Sequence, residues 1–360
     1  MTDNTFVPNE LRRALVIKLR HHGDVLLASP VVSVLKKSAP QAEIDALVYA
    51  DTAPMLSLHP ALDQLFVVDR QWKRLGPLTQ FSREKTLLDA LRARRYDLIV
   101  HLTEHWRGAW LTRLCGARWS VAPAVPGRGR FWQRSFTHLV RQPRGAPRHV
   151  VESNLDALRR LGMHPDVDSR ALVLEPGSSA EQEVKALLGQ SGLANKSFVH
   201  VHPASRWQFK CWPAAKMATL IASLQASGWQ VVLTAAPDER ELAMVEAIQS
   251  QLQQPARSFA GQLSLKQLGA LTARARLFVG VDSAPMHIAA AMGTPVVALF
   301  GPSGEKHWAP WTPRHRVVTS DSHSCRPCGI DGCGGSKVSD CLVTLPVDKV
   351  VAACQELLAD

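Results

Sequence analysis

The sequence predicts an α/β protein with two doubly wound, Rossmann-like domains, each a parallel sheet covered by helices. Short apolar runs alternate with amphipathic segments, which is the pattern of successive strand–helix units. The alternation occurs twice, on either side of a polar connector at about 162–180, and 360 residues suffice for two domains. We expect an N-terminal domain over 1–170 and a C-terminal domain over 171–345, facing across a cleft. A final helix over 346–360 could pack back on the first domain.

The predicted N-terminal domain begins with an apolar run typical of a strand. The segments that follow have either short apolar runs, which indicate strands, or apolar residues at helical spacing. In the last helix of this domain, for example, apolar side chains recur at Val150, Leu155, Leu158 and Leu161. The predicted strands are 14–19, 44–49, 65–68 and 98–102, and the predicted helices are 29–38, 82–95 and 150–161.

The second set repeats the pattern. Its predicted strands are 198–202, 230–234, 277–281 and 296–300, and its predicted helices are 213–226, 237–251, 265–273, a short helix between the last two strands, and 346–358. Ligands of such sheets bind outside the carboxyl ends of the strands. Candidate site residues are therefore sought directly after each strand.

The composition is that of a soluble globular protein, with 46% hydrophobic and 20% charged residues. No apolar run is long enough to cross a bilayer, and the N-terminal sequence lacks the pattern of a signal peptide. Seven cysteines, an odd number, suit a reducing compartment. We expect a cytoplasmic protein.

The net charge of +11 is concentrated in the first half of the chain. Residues 1–170 hold 26 Lys and Arg against 16 Asp and Glu, whereas residues 171–360 hold 16 against 15. Segment 105–151 has no acid. Such a field attracts nucleic acid or a phosphorylated lipid surface, or it is only a solvated basic face. The segment contains Arg107, Arg113, Arg118, Arg128, Arg130, Arg134, Arg141, Arg144 and Arg148, interleaved with Trp106, Trp110, Trp119 and Trp132.

Asp24 follows the first predicted strand in the stretch "KLRHHGDVLLASP". A carboxylate at the start of a helix can be a simple cap or a general base that points into a cleft. The stretch has no GxGxxG pattern, which disfavours a nicotinamide dinucleotide site.

The stretch "VHPASRWQFKCWP" places Ser205, Arg206 and Lys210 between a strand and a helix. A hydroxyl and two cations beside a helix N-terminus suit a phosphate group. The alternative is that both cations are exposed loop residues.

Asp238 follows the next strand, in the first turn of a helix. The helix dipole alone favours an acid there. The carboxylate could equally accept hydrogen bonds from a ribose, as in dinucleotide sites.

The stretch "FVGVDSAPMHIAAAMGTPVVALFGPS" places an acid, a hydroxyl and a histidine where a strand meets a helix. Ser283 can cap that helix, with Pro285 in its first turn, or it can bind an anion together with the free amides. Asp282 would repel a diphosphate, so sugar hydroxyls are its more plausible partners. His287, alone, is as readily a structural residue.

These loops together resemble the ADP-heptose:lipopolysaccharide heptosyltransferases, a family of GT-B glycosyltransferases. The motifs are "RHHGDVLLASPVVSVLKK", "HPASRWQFKCWP", "FAGQLSLKQLGALTARARLFVGVDSAPMHIAAAMGTPVVALFGP" and "CRPCGIDGCGGSKVSDCLV". The resemblance extends from residue 14 to the last helix. It implies a GT-B fold and transfer of heptose to the lipopolysaccharide inner core, most closely the addition of a third, branching heptose onto the second.

The resemblance also implies residue roles. Asp24 matches the catalytic base, and Lys210 and Ser205 match the groups on the donor diphosphate, to which we add Arg206. Ala284, which we also place in the donor site, stands where the family often has glycine, a small change at the point where the backbone would approach phosphate. Of the remaining donor positions, Asp238 matches the ribose acid, Leu263 flanks adenine, and Asp282, Ser283 and His287 match the motif that holds heptose and phosphates.

The implied reaction is a single displacement with inversion, in which Asp24 deprotonates the acceptor hydroxyl. No Asp-x-Asp motif follows a strand, so we expect no metal or other cofactor. We expect Ser283 to cap its helix when the site is empty. The expected partners are ADP-heptose, the lipopolysaccharide core bound through Arg128, Arg130 and Arg134, and the anionic inner face of the inner membrane, but no nucleic acid.

Four cysteines are spaced C-x2-C-x4-C-x7-C, at Cys325, Cys328, Cys333 and Cys341. Four thiols can form a structural zinc site, but the spacing differs from paired knuckles. Reduced thiols without a metal are the alternative, and neither interpretation implies catalysis.

Three other functions fit part of the pattern. A GT-B transferase that uses another nucleotide sugar would share all the loops. A nucleic-acid-binding protein would explain the charge and the tryptophans but not Asp24 or Asp282. A nicotinamide-dependent oxidoreductase lacks its glycine pattern.

Overall fold

The computed structural model describes residues 6–141 and 147–359, and the chain divides into two compact units, Met1–Leu174 and Glu175–Asp360. The expected boundary was 170/171. Each unit contains one six-stranded sheet with parallel strand pairs. Among the described residues, no helix is sufficiently long and apolar to cross a membrane.

The first sheet has the strand order β3-β2-β1-β4-β5-β6. Its central strands β1 and β4 are almost entirely buried, as expected where helices cover both faces of a parallel sheet. The strands are β1 (Arg13–Ile17), β2 (Glu43–Tyr49), β3 (Gln64–Val68), β4 (Leu98–His101), β5 (Trp119–Pro123) and β6 (His138–Val140).

The helices of the first unit include one that ends in a left-handed glycine, Gly116 at φ 65°. Glycine takes this conformation without a Cβ penalty, and it therefore ends the helix cleanly. The helices are α1 (His22–Leu26), α2 (Ser29–Ser38), α3 (Pro77–Ala93), α4 (Trp106–Cys115), α5 (Gly129–Gln133) and α6 (Val150–Arg159), with 3-10 turns at Pro8–Glu10, Ala50–Met55, Arg70–Arg74 and Asp168–Arg170.

The second sheet has the order β12-β11-β10-β7-β8-β9. If these strands are renumbered from one to six and read from the β9 edge, the order is 3-2-1-4-5-6, which is that of the first sheet. The two units therefore share one topology. The strands are β7 (Phe198–His202), β8 (Gln230–Leu233), β9 (Arg257–Ser258), β10 (Leu277–Val281), β11 (Val296–Leu299) and β12 (His315–Val318).

The helices of the second unit include one with a capping box, in which Ser264 and Gln267 satisfy each other's backbone N–H groups. The helices are α7 (Ser178–Gln190), α8 (Ala214–Ala226), α9 (Glu239–Gln249), α10 (Leu265–Ala273), α11 (Ala284–Ala291), α12 (Glu305–Trp308), α13 (Asp340–Val343) and α14 (Val347–Ala359), with 3-10 turns at Gln208–Lys210 and Cys333–Gly335.

The final helix α14 belongs to the second unit. Val350, Cys354 and Leu357 are buried in the same apolar core as Leu220 and Leu224 of α8. The sequence had left this helix a possible place on the first domain. Its apolar face is instead buried within the second unit.

The described part of the arginine-rich stretch 105–151 contains buried aromatic side chains and paired arginines. Trp119 and Trp132 are fully buried, so these two tryptophans of the basic segment are not available to a nucleic acid or a lipid surface. Trp132 packs with Phe136, and its indole N–H donates to the carbonyl of Pro123 at 3.0 Å. Several arginines of this stretch form ion pairs with acidic residues of the same unit: Arg107 with Glu84, Arg118 with Glu10 and Arg148 with Asp156. Arg144 lies outside the described residues.

In each sheet, the direction in which successive strands are added reverses at one place. This place lies between β1 and β4 in the first unit and between β7 and β10 in the second. The loops on either side of such a switch point diverge and leave a crevice at the carboxyl edge. Among the predicted site residues, those that follow strands at the switch points are Asp24 after β1, Ser205, Arg206 and Lys210 after β7, and Asp282, Ser283, Ala284 and His287 after β10. The others follow strands that do not flank a switch point: Arg128, Arg130 and Arg134 after β5, Asp238 after β8 and Leu263 after β9.

Candidate active site

Asp24 lies in the first turn of α1, shortly after β1, and is half-buried. It is not the N-cap residue of that helix, which is His21. The simple capping role is therefore not what the structure gives Asp24. Its carboxylate lies beside the switch point of the first sheet, the region where ligands of such sheets bind.

Lys18, the residue directly after β1, is a charged neighbour that the sequence analysis missed. It is 5% exposed, and its Nζ donates to the carbonyl of Leu102 at 3.2 Å and to Oδ1 of Asn154 at 3.0 Å. Burial lowers the pKa of Lys18 to about 8, and the negative charge of Asp24 opposes that decrease. The available signal was a lysine within the apolar run 14–19 that predicts the first strand.

The side chain of Asn154 extends this contact, because its Nδ2 donates to the carbonyl of Leu27 at 2.9 Å. Lys18 and Asn154 thus connect the end of β1, the end of β4 and helix α6 to the segment that follows α1. This network holds the Asp24 helix in position.

Several cations gather around His105, just after β4. Burial lowers the pKa of His105, and the positive charges of Arg107, Lys73, Arg128 and Arg20 lower it further. These residues come from four different segments of the first unit. The carboxyl edge of the first sheet therefore carries concentrated positive charge.

The predicted acceptor residues occupy α5 and its flanks. Arg128 is partly committed to the fold, since it donates to the carbonyl of Glu104 at 2.9 Å and lies 4.9 Å from the ring centre of Trp106. Arg130 and Arg134 are exposed.

The loop after β7 carries the predicted phosphate group ligands of the second unit. Ser205 is buried, and its Oγ accepts from the backbone N–H of Trp207 at 3.2 Å. Arg206 is exposed and stacks over the Trp207 ring at 4.8 Å. The loop ends at Pro213, the N-cap position of α8.

Lys210 and Asp282 form a direct ion pair, with 2.6 Å between Nζ and Oδ2. The two residues are 72 positions apart in sequence and follow the adjacent strands β7 and β10. The Asp282 side chain is 7% exposed and the Lys210 side chain 22% exposed. The sequence had placed the two residues on different parts of a donor but had not predicted their contact.

Ser283 is the N-cap residue of α11 but makes no capping hydrogen bond, which corrects the expectation that it caps the empty helix. An N-cap side chain accepts from the second or third helical N–H. The second residue is Pro285, which has no N–H, and the N–H of Met286 bonds to the Ser283 carbonyl at 3.1 Å. The buried Ser283 Oγ has no hydrogen-bond partner among the described residues.

Helix α11 contains several alanines, including its first residue and its last three. Ala284 is its first residue, and His287 is buried one turn further. The small side chains of Ser283 and Ala284 leave room for a ligand at this N-terminus, where the helix dipole favours an anion.

Asp238 is the N-cap residue of α9, and its Oδ1 accepts from the N–H groups of Arg240 at 3.0 Å and Glu241 at 3.4 Å. It is exposed at the end of the loop after β8. Leu263 is partly buried against the core beside α10, directly before the capping box. The capping role of Asp238 is observed, and it uses one of the two carboxylate oxygens.

A buried polar network beneath the loops after β7 and β8 was also missed from the sequence. Thr234 Oγ1 lies 2.7 Å from His200 Nε2 and 2.9 Å from His202 Nδ1, and His200 also contacts Thr272 at 3.0 Å. Burial lowers the pKa of both histidines, that of His202 to about 4, and raises the pKa of Glu241. The 3.8 Å contact of His202 with Glu241 is therefore not an ion pair at neutral pH.

The cysteine cluster shows no metal-binding arrangement. All seven cysteines are free thiols, and within 6–141 and 147–359 no three His, Cys, Asp or Glu side chains are grouped to hold a metal ion. Cys325, Cys328 and Cys333 are exposed, whereas Cys341 is buried.

Comparison with known proteins supports one family. A model of glycosyltransferase family 9 (heptosyltransferase) matches residues 85–337. Lipopolysaccharide heptosyltransferase 3 of Escherichia coli is 41% identical over 297 residues, which cover 82% of this chain and 85% of that protein.

Solved structures share the fold. The glycosyl transferase family 9 protein of Veillonella parvula superposes with a TM-score of 0.83 at 23% identity, covering 99% of both chains. The ADP-heptose lipopolysaccharide heptosyltransferase II of E. coli superposes with a TM-score of 0.76 at 22% identity, covering 96% of this chain and 98% of that one. The expected α/β fold of the GT-B type, with two parallel sheets, is confirmed.

The predicted resemblance is therefore confirmed by a family match over most of the chain and by a relative of high identity. The chain belongs to glycosyltransferase family 9, the heptosyltransferases, and is a glycosyltransferase.

Proposed function

We propose that this glycosyltransferase moves L-glycero-D-manno-heptose from ADP-heptose to the inner core of lipopolysaccharide, as the third heptose onto the second. The observation that carries the proposal is the Lys210–Asp282 pair beside the Ser283 hydroxyl, which has no partner among the described residues. Lys210 supplies a positive charge for a diphosphate, and the Asp282 carboxylate can accept hydrogen bonds from sugar hydroxyls. The relative at 41% identity, a lipopolysaccharide heptosyltransferase 3, favours this acceptor.

In the proposed reaction, Asp24 accepts the proton of the acceptor hydroxyl while that oxygen attacks the anomeric carbon of heptose. The new C–O bond forms as the bond from the anomeric carbon to the diphosphate oxygen breaks. One displacement inverts the anomeric configuration. The electron pair of the broken bond leaves with ADP.

The negative charge on departing ADP needs stabilisation, which we assign to Lys210, Ser205 and Ser283 together with the amide groups that begin α8 and α11. Lys210 is already held at 2.6 Å from Asp282, so little reorganisation is required. These groups supply positive potential from the protein, and we propose that no metal ion or other cofactor takes part.

The remaining donor contacts follow from position. We assign the ribose to Asp238, which caps α9 through one oxygen, adenine to Leu263, and the heptose hydroxyls to Asp282. Arg206, Ala284 and His287 complete the donor site. Asp282 would repel a phosphate, and its pairing with Lys210 leaves sugar hydroxyls as natural partners.

We infer that the acceptor is the phosphorylated, lipid-anchored core and that it binds at the cations of the first unit, including Arg128, Arg130 and Arg134. The positive charge around His105 supports this assignment. The protein would then work peripherally at the cytoplasmic face of the inner membrane, with nucleic acid excluded as a partner.

Product analysis tests the proposed function. The protein is incubated with ADP-heptose and lipopolysaccharides truncated after the first, second or third core heptose, and the products are weighed by mass spectrometry. We expect one added heptose on the acceptor that ends at the second heptose. Transfer from a UDP-sugar instead, or unchanged acceptor at every length, would contradict the proposal.

Charge reversal on α5 should weaken acceptor use selectively. For Arg130→Glu with Arg134→Glu we expect KM for phosphorylated acceptor to rise about tenfold or more, since each cation near an anionic surface contributes about 1 kcal/mol. Calorimetry should show unchanged ADP binding. Arg92→Glu, an exposed arginine on α3, is the control. Equal loss of ADP binding and acceptor use would refute the assignment.

A further inference from the structure

Two neighbouring helices of the first unit leave large apolar side chains in solvent. On α3, Leu78 is 86% exposed and Phe81 is 68% exposed, and on α4, Trp110 is 55% exposed and Leu114 is 46% exposed. Clusters of this kind on a soluble protein mark interaction sites. We call these four residues the α3–α4 surface.

An ion pair between the helices joins the two halves of this surface. Arg107 of α4 contacts Glu84 of α3, with 2.7 Å between Nη2 and Oε1. Residues three positions apart on a helix lie on the same face. Phe81 precedes Glu84 by three positions and Trp110 follows Arg107 by three, so both aromatic rings flank the same contact.

The apolar surface continues onto α5, where the Phe131 ring lies 4.6 Å from that of Trp110. Arg113 lies over the same Phe131 ring at 4.7 Å. Cations and aromatic rings are thus interleaved at the edge of the surface, as on helices that lie at a membrane interface.

The segment that leads into α3 and forms its first turns carries only positive charge. Segment 70–83 contains Arg70, Lys73, Arg74 and Arg83 and no acid. Lys73, Arg74 and Arg83 are exposed. An anionic bilayer satisfies both features, because its headgroups attract the cations and its acyl boundary accepts the apolar side chains. A nucleic acid would use the cations but has no place for Leu78.

We propose that the α3–α4 surface inserts Leu78, Phe81 and Trp110 into the headgroup region of an anionic membrane. The inference rests on the proposed function only in that a lipid-anchored acceptor gives this contact its purpose. It goes further by naming the apolar side chains that enter the lipid, whereas the acceptor was assigned to cations. Binding therefore has an apolar component that salt does not remove.

The test is partition of the full chain onto vesicles of phosphatidylglycerol and phosphatidylethanolamine, measured by sedimentation at low and high salt. The variant combines Leu78→Ser, Phe81→Ser and Trp110→Ser, which leaves the net charge unchanged. We expect its partition coefficient to fall about tenfold or more, equivalent to about 1.4 kcal/mol. The control is Val167→Ser, which removes an apolar side chain that is 80% exposed in the same unit, and it should bind as the parent does.

Each outcome decides the proposal. Failure of the parent to bind anionic vesicles would overturn it, and so would equal binding by the parent and the triple variant, which would favour a protein partner for this surface. Loss of all binding in high salt would reduce the contact to electrostatics and would also overturn it. If the triple variant does not fold, Trp110→Ser alone is measured, with a decrease expected and no change overturning.

A second assay separates this inference from the proposed function. Transfer to a delipidated core oligosaccharide should be the same for the parent and the triple variant. Vesicle binding without transfer to any acceptor would remove the proposed function and leave the membrane surface intact. Transfer without vesicle binding would do the reverse.

Discussion

Replacing Asp24 with asparagine is expected to reduce heptose transfer by roughly 10²–10⁴-fold, the range for loss of a general base. Asparagine keeps the shape of the side chain but cannot accept the acceptor proton. The pKa of Lys18, about 8, should decrease further, because Asp24 opposes the effect of burial on it. Initial rates with ADP-heptose and core acceptor measure the loss.

ADP affinity separates a catalytic effect from damage to the fold. The proposed donor residues lie in the second unit, so calorimetry should give the same ADP Kd for Asp24→Asn and the parent. Asp89→Asn, which alters an exposed i,i+4 pair with Lys85 on α3, should transfer at the parental rate. A rate within a few-fold of the parent for Asp24→Asn would rule out Asp24 as the base.

Replacing Lys210 with methionine is expected to reduce transfer by roughly 10²–10³-fold, the usual effect of removing one group that stabilises transition-state charge. ADP binding should weaken as well, since the same cation faces the diphosphate in the ground state. The substitution also leaves Asp282 without its partner at 2.6 Å, a buried carboxylate that is costly to leave alone. Kinetics, calorimetry and thermal unfolding together measure these effects.

The matched control for Lys210→Met is Lys185→Met, an exposed lysine on α7. Asp282→Asn provides the contrast, because it should weaken ADP-heptose binding far more than ADP binding if Asp282 holds sugar hydroxyls. An equal effect on both ligands would contradict the assignment of Asp282 to the sugar hydroxyls and would indicate that it acts at the diphosphate instead. Parental transfer by Lys210→Met would remove Lys210 from the leaving-group site.

The elements bounded by clear signals could be predicted from the sequence. Helix α2 and strands β7 and β10 have the predicted bounds, because each is an apolar segment that ends at turn or capping residues. The predicted connector at 162–180 was too long, since α7 begins at Ser178. The missed strands include β6, β9 and β12, which lie at or near sheet edges and have two to four residues each. Each also contains polar or charged residues, so none forms an apolar run that would indicate a strand.

The sequence located candidate residues in the loops that follow strands, but it missed Lys18, which directly follows β1. The carboxyl ends of parallel strands meet at one edge, and this brings Lys210 and Asp282 together from 72 positions apart. The network of His200, His202 and Thr234 was not predictable, because its members are separate in sequence and resemble ordinary strand residues. The burial of Trp119 and Trp132 was hidden by the surrounding arginines, whose charges suggested an exposed surface.

Pro285 affects both the stability of helix α11 and the hydrogen bonding of the Ser283 hydroxyl. A serine at an N-cap usually stabilises its own helix by about 1 kcal/mol. Here the proline removes an N–H that would have donated to the Ser283 hydroxyl oxygen, so helix α11 lacks this stabilisation. The Ser283 hydroxyl is left without a partner among the described residues, so the donor that we propose for this site would bind it without first breaking a hydrogen bond within the protein.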